Sequence, residues 1–378
     1  MAYSVYFMFN SIYFPLRDLY LSVSQLSYMR KVFTLFINII SIQLQAQEGN
    51  IHTSFPLNND ANQRMIQESN FSFTAIALKS KEIRDFSSIG FINSADTIYF
   101  NNDLHSDNAD GYFHSSLIHF EQAIKSIDLY IPSEVQDLNV VLINGSGEYS
   151  DFSPRKTIMN QSSDCELSGV VQQSEWRVGL PEPSYTRIFT DTGNMIVHHS
   201  AGSNNTIDFT QAVRDIYIYH TQENGWSDIG YNYLVAPNGT VYAGRDPAGG
   251  EQDQVMGAHF CGSNSNTMGI CLMGNYETIE PTSELLESLE SLISWKAFKD
   301  DLPVLESKFH PLNPELGVIA GHRDGCSTLC PGDNVYLKLQ EIRENVNSQL
   351  VICRDDNGGV GDGGEDDGGE GDDDGGDG

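Results

Sequence analysis

The stretch "GHRDGCSTLCPGDN" (residues 321–334) places His322 and Cys330 with seven residues between them. An imidazole nitrogen and a thiolate are both good zinc donors. A thiol at this position is equally open to two other uses, half of a disulfide or a small buried residue. A zinc hydrolase takes about three protein ligands and keeps one position open for water. The third ligand should stand at the end of a strand, where the backbone holds it rigidly. "MIVHHS" offers His198 and His199 there. Successive side chains of a strand face opposite sides, so only one of the two can point at the metal. No His-Glu-x-x-His segment occurs, so the helix-borne metalloprotease site lacks both its ligands and its base. His105, His114 and His119 are spaced by nine and five, which makes no ligand face.

The elements that must position these residues are readable from hydrophobic period. "MIVHHS" reads as a buried strand and "TMGICLMGN" as another. "YNYLVAPNGTVYAGR" joins two apolar runs through Pro-Asn-Gly, a hairpin signal. "TIDFTQAVRDIYIYHTQ" sets Phe209, Val213, Ile216 and His220 at helical spacing, with His220 read as core. "PTSELLESLESLISWKAF" predicts a helix capped by Thr282 or Ser283, with a stripe of Leu285, Leu286, Leu289, Leu292 and Ile293. "VYLKLQEIRENVNSQL" predicts a closing helix. His310 reads as a turn residue, and Arg323 and Asp324 as an internal pair shaping their loop. Strands alternating with helices imply an α/β fold, a central sheet flanked by helices.

Upstream the pattern changes. "FSFTAIAL", "SIDLYI" and "LNVVLING" show the period-two alternation of half-buried strands. They predict a small β-rich, sandwich-like domain with no catalytic constellation. Residues 151–190 read as a linker. The expected division is an extension over 1–28, a leader over 29–46, a β-rich domain over 47–165, an α/β domain over 166–353 and an acidic tail over 354–378.

Five segments, "IVHHSAG", "GWSDIGYNYLVAPNGTVYAGR", "GAH", "MGICLMGNY" and "GHRDGCSTLCPG", occur in that order over roughly residues 175–350. Together they closely resemble the zinc-dependent N-acetylmuramoyl-L-alanine amidases, the type shared with peptidoglycan recognition proteins. The resemblance implies a mixed sheet flanked by helices, and Zn²⁺ held by His198, His322 and Cys330. It implies Tyr231 as the catalytic tyrosine, donating to the oxyanion, and Thr328 as an orienting residue. His259 and Trp226 correspond to groove residues. The implied reaction is hydrolysis of the amide between N-acetylmuramic acid and L-alanine, with peptidoglycan or its muropeptides as partner. Recognition-only members of the family lose the cysteine ligand, and this chain keeps it. A non-catalytic muropeptide-binding protein is the alternative, and an adhesion role carried by the β-rich domain is a third. The animal members have a disulfide after the segment matching "SAG", and "SAGSNNTIDFTQ" has no cysteine, which suggests a bacterial member.

Composition bounds the rest. The 378 residues carry a formal charge of −31, which argues against nucleic acid and against electrostatic retention on anionic polymers. Residues 355–378 hold 11 of the 52 acidic side chains. That Gly/Asp tail cannot bury apolar surface and reads as a flexible linker; its runs lack the calcium β-roll repeat and the EF-hand spacing. From Met29, "MRKVFTLFINIISIQLQAQ" has the basic start, apolar run and small residue of a secretory leader. Its 13-residue run is too short to span a bilayer. Export is expected, with Met29 as the true start. Export permits disulfides. With Cys330 on a metal, five cysteines remain and one is left over.

Overall fold

The computed structural model describes residues 51–57, 65–66, 71–93, 96–103, 111–132, 134–147, 157–159 and 165–357. The leader, the N-terminal extension, His105 and the tail from residue 358 lie outside the described residues. The described residues all fall within one compact unit.

The N-terminal strands are β1 (His52–Pro56), β2 (Met65–Ile66), β3 (Phe73–Ser80), β4 (Gly90–Asn93), β5 (Asp96–Tyr99), β6 (Phe113–His114), β7 (Ile118–Ile124), β8 (Ile127–Tyr130) and β9 (Asn139–Ile143). They make two antiparallel sheets. One runs β1-β9-β3-β6 with β7 also on β3, and the other runs β2-β8-β4-β5. The core between them takes Phe73, Ile76, Leu78, Val140 and Leu142. Alternate residues of the same strands, Ala75, Ala77, Val141 and Ile143, belong to a different core. Both faces of the β3–β9 pair are therefore covered. The small Ala75 and Ala77 let a helix lie close on the second face.

That helix is α2 of the C-terminal region. The elements there are β10 (Ile158–Met159), β11 (Leu167–Ser168), α1 (Gln173–Trp176), β12 (Asn194–His199), α2 (Phe209–Ile218), β13 (Tyr233–Val235), β14 (Val241–Ala243), β15 (Thr267–Leu272), α3 (Ser283–Lys299), β16 (Ile319–Gly321), α4 (Asp333–Tyr336) and α5 (Leu339–Asn357). The sheet order is β14-β13-β15-β12-β16. β12 pairs in parallel with β15 and β16, and β13 is parallel to β15 but antiparallel to β14. The central mixed sheet is as expected. Met195, Val197, Met268, Ile270 and Leu272 face α3 and α5. Cys271, Leu234 and Ala236 face α2. Thr282 caps α3, its hydroxyl accepting from Leu285 N at 3.2 Å, a bond of about 1 kcal/mol in such positions. Leu285, Leu289, Leu292 and Ile293 are fully buried, each side chain contributing roughly 1.5–3 kcal/mol.

The stretch expected as a linker is built into the structure. Trp176 of α1 is fully buried and donates from Nε1 to Ala243 O at 2.8 Å. Cys165 is disulfide-bonded to Cys353 on α5. No helix among the described residues is long and apolar enough to cross a membrane.

Candidate functional site

β12 and β16 lie side by side in parallel, with Val197 opposite Gly321. The next residue along each strand is therefore a histidine, His198 on one and His322 on the other. Their ring centroids are 4.4 Å apart. Alternation along β12 sends His198 to the site and His199 away from it, where His199 Nδ1 accepts from Tyr276 N at 3.2 Å. Cys330 comes from the loop after β16. Its Sγ stands 3.7 Å from His198 Nδ1 and accepts the backbone N–H of His199 at 3.3 Å. One donor atom from each of His198, His322 and Cys330 falls within 4.8 Å of the others, and all three residues are buried. Two imidazoles and a thiol, with no carboxylate, form a donor set for a borderline-soft cation.

A hydrogen-bonded chain orients His198. Thr267 donates its hydroxyl to Asn264 O at 2.8 Å, so its oxygen accepts from His259 Nε2 at 3.3 Å. His259 Nδ1 then accepts from His198 Nε2 at 3.0 Å. That assignment leaves the His198 Nδ1 lone pair toward Cys330, the tautomer a metal ligand needs. His259, expected along the groove, packs against His198 with ring centroids 5.0 Å apart. Only glycine at position 269 allows this, because a Cβ there would stand 2.5 Å from the His259 ring.

Tyr231 lies over the same centre, its ring centroid 5.3 Å from that of His198. The turn that delivers it is fixed by buried Asp228, which accepts from Ile229 N at 2.7 Å and Asp246 N at 2.8 Å. Burial above all, with neighbouring Cys271, Cys330 and Asp103, holds the Tyr231 hydroxyl well above its ordinary value of 10. It therefore stays protonated and able to donate. Burial likewise raises the Cys271 thiol. Trp226 packs on His220, with centroids 4.5 Å apart, and both line a cavity with Tyr231 and Ser200. His220, read from its spacing as core, is thus a site residue as well as a buried one. Thr328 accepts the Cys330 N–H at 3.1 Å and so braces the loop of that cysteine.

Two expectations for this loop change. Arg323 does not pair with Asp324: its guanidinium reaches Glu277 at 3.0 Å and Asp333 at 2.6 Å. Asp324 instead accepts from Gly321 N at 2.8 Å and Tyr336 Oη at 2.5 Å. Cys326, four residues before Cys330, is not a thiol open to a metal: it is bonded to Cys261 at 2.06 Å. Cys271 stands outside both disulfides, the odd cysteine that the count of five requires. His310 is the turn residue its sequence suggests, exchanging backbone bonds with Asn313.

Residues 190–333 match the family described as N-acetylmuramoyl-L-alanine amidase. Peptidoglycan-recognition protein SC2 of Drosophila simulans is 33% identical over 174 residues, covering 45% of this chain and 84% of that protein. The N-acetylmuramoyl-L-alanine amidase of Homo sapiens is 32% identical over 148 residues, 38% of this chain and 23% of that protein. Among solved structures, Drosophila PGRP-LB aligns at 26% identity with a TM-score of 0.37, over 45% of this chain and 92% of its own. The chain belongs to the family that unites the peptidoglycan-recognition proteins with the N-acetylmuramoyl-L-alanine amidases.

Proposed function

We propose that this protein is a zinc-dependent amidase that hydrolyses the bond between N-acetylmuramic acid and L-alanine in peptidoglycan or muropeptides. The observation that carries the reading is the donor set of His198, His322 and Cys330 beneath a protonated Tyr231. The set suits zinc, which takes imidazole nitrogen and thiolate sulfur as ligands. The sulfur–nitrogen separation between Cys330 and His198 is 3.7 Å. Zinc bound there supplies Lewis acidity toward the amide carbonyl and lowers the pKa of water to about 7.

The chain's own groups do the rest. The Thr267–His259–His198 hydrogen-bonded chain fixes the imidazole, and the His199 N–H steadies the Cys330 sulfur. Tyr231 donates a hydrogen bond from its hydroxyl to the carbonyl oxygen as negative charge builds, and keeps its proton. A donor of this kind contributes about 2.7–4 kcal/mol in the transition state. Trp226 offers an aromatic face to the substrate, and Thr328 holds the loop that carries Cys330. Two disulfides support folding in an oxidising compartment and hence export.

A non-catalytic muropeptide binder is the second reading, supported by relatives named for recognition alone. The retained cysteine weighs against it. Zinc content and muropeptide release, measured on the full chain beside Cys330→Ser, decide the matter. The expected result is one zinc per chain and stem peptides with new L-alanine amino termini, both lost in the variant. A metal-free wild-type protein that binds muropeptide and releases nothing would overturn the amidase reading.

A further inference from the structure

The β-rich region reaches the site. After Ile218 the chain of α2 continues as a wide π-type turn over Tyr219–Glu223. The Tyr219 hydroxyl meets His114 Nδ1 at 3.2 Å and Ser115 O at 3.5 Å. Residues 101–103 and 114–116 are laddered together, with Asp103 N donating to His114 O at 2.8 Å and Ser116 N to Asn101 O at 2.7 Å. This ribbon lies against the loop that follows His199. A Cβ at residue 202 would stand 2.8 Å from Leu117 O.

The cavity beside Tyr231 is consequently lined from two sides. Ser200, Tyr219, His220, Trp226 and Tyr231 form one wall, and Asp103, Ser116 and Leu117 form the other. Its volume is about 30 Å³, room for about two water molecules. A primary ammonium group is small enough for such a space. Asp103 is the only carboxylate among the described residues that line it. Aromatic faces together with a carboxylate are the chemistry of a cation site.

We infer that the β-rich region completes the substrate site with a subsite for a primary ammonium group of the muropeptide, held by Asp103 against Tyr219 and Trp226. The inference rests on the muropeptide reading above, but not on cleavage by this chain. Two amines share this chemistry: a side-chain amine along the stem, present in intact muropeptide, and the α-amine of L-alanine, present in a stem peptide already freed from the sugar.

The test is calorimetric binding of a lysine-containing stem tetrapeptide to the full chain carrying Cys330→Ser, so that no turnover intervenes. Three probes are compared: the peptide with both amines free, with the α-amine acetylated, and with the side-chain amine acetylated. Acetylating the recognised amine should weaken binding about tenfold, the scale of one charge-assisted hydrogen bond. The difference should vanish in Cys330→Ser/Asp103→Asn, and the sensitive arm names the amine. Equal affinity for all three probes would overturn the proposal. So would an Asp103→Asn loss that is the same for every probe. If Asp103→Asn fails to fold, the acetylation contrast on the Asp103 protein decides alone. Loss of turnover by the wild type with the contrast intact would sink the amidase reading and leave the subsite standing.

Discussion

Two clusters of histidine and cysteine share one residue. In the first, His198, His322 and Cys330 present their donor atoms within 4.8 Å. In the second, Cys261, Cys326 and His322 satisfy the same distance, with Cys261 Sγ 3.8 Å from His322 Nε2. The difference is the state of sulfur. Cys261 and Cys326 are bonded to each other and have no thiolate to give a metal. Cys330 is a thiol. Closeness of donors therefore does not define a metal centre. The second cluster clips the loop of His259 to the loop of His322, so one sulfur pair braces what the other cluster uses.

The comparison can be broken most sharply at Cys330. Cys330→Ser should abolish zinc binding, measured by metal analysis, and lower turnover by at least about a thousandfold, since the open site loses a ligand. Tyr231→Phe should keep the metal and lower kcat about 10²- to 10³-fold, a split that muropeptide kinetics would read directly. The paired change Cys261→Ala with Cys326→Ala should leave one zinc per chain. It should lower unfolding free energy by about 2–4 kcal/mol in denaturant titration, the usual scale for losing a native cross-link. Because His322 is shared, reduction with a dithiol should not raise the zinc content above one. Finding two would make the second cluster a metal site in its own right. Thr267→Val cuts the hydrogen-bonded chain to His198 at its far end and should weaken zinc affinity about tenfold, seen by chelator competition, with little change in stability.

The C-terminal region was largely legible because its information is local and ordered. Strand alternation says that only one of His198 and His199 can face a metal, and the family resemblance points to His198. The cap at Thr282, the Leu stripe of α3 and the Pro-Asn-Gly hairpin are all short-range signals. The site residues that eluded sequence reasoning are those fixed by distant partners. His220 sits at helical spacing with Val213 and Ile216, and its period says only that it is buried. That face of α2 is buried partly by the site itself, so one pattern serves two roles. His259 carries no local mark of its bond to His198, which depends on the space Gly269 leaves. Arg323 sits next to Asp324 in sequence, yet two more distant carboxylates fit its planar fork. The cysteine pairings join residues 65 and 188 positions apart, and no local pattern encodes them. The β-rich strands were legible as strands, but period two cannot say that Ala75 and Ala77 meet a helix of the other region.

Helix α2 is bonded on both sides. On the β-rich side, buried Asp215 accepts from Gly145 N at 2.9 Å and Thr74 Oγ1 at 2.5 Å, and meets His119 Nδ1 at 3.0 Å. Glu223, on the turn that follows, pairs with Lys79 and with His52 at 2.7 Å. Arg214 donates to Gly145 O at 2.5 Å and to Trp176 O at 2.7 Å, one bond into each region. A helix shared in this way couples the melting of the two regions. Heating should give one calorimetric transition, not two. Excising residues 51–147 would strip the partners from Asp215 and Glu223 and lay bare Ala212 and Ile216, leaving a destabilised remnant and not a self-sufficient domain. The β-rich layer is better regarded as the second half of a single folding unit than as a cargo module that evolution could add or remove at will.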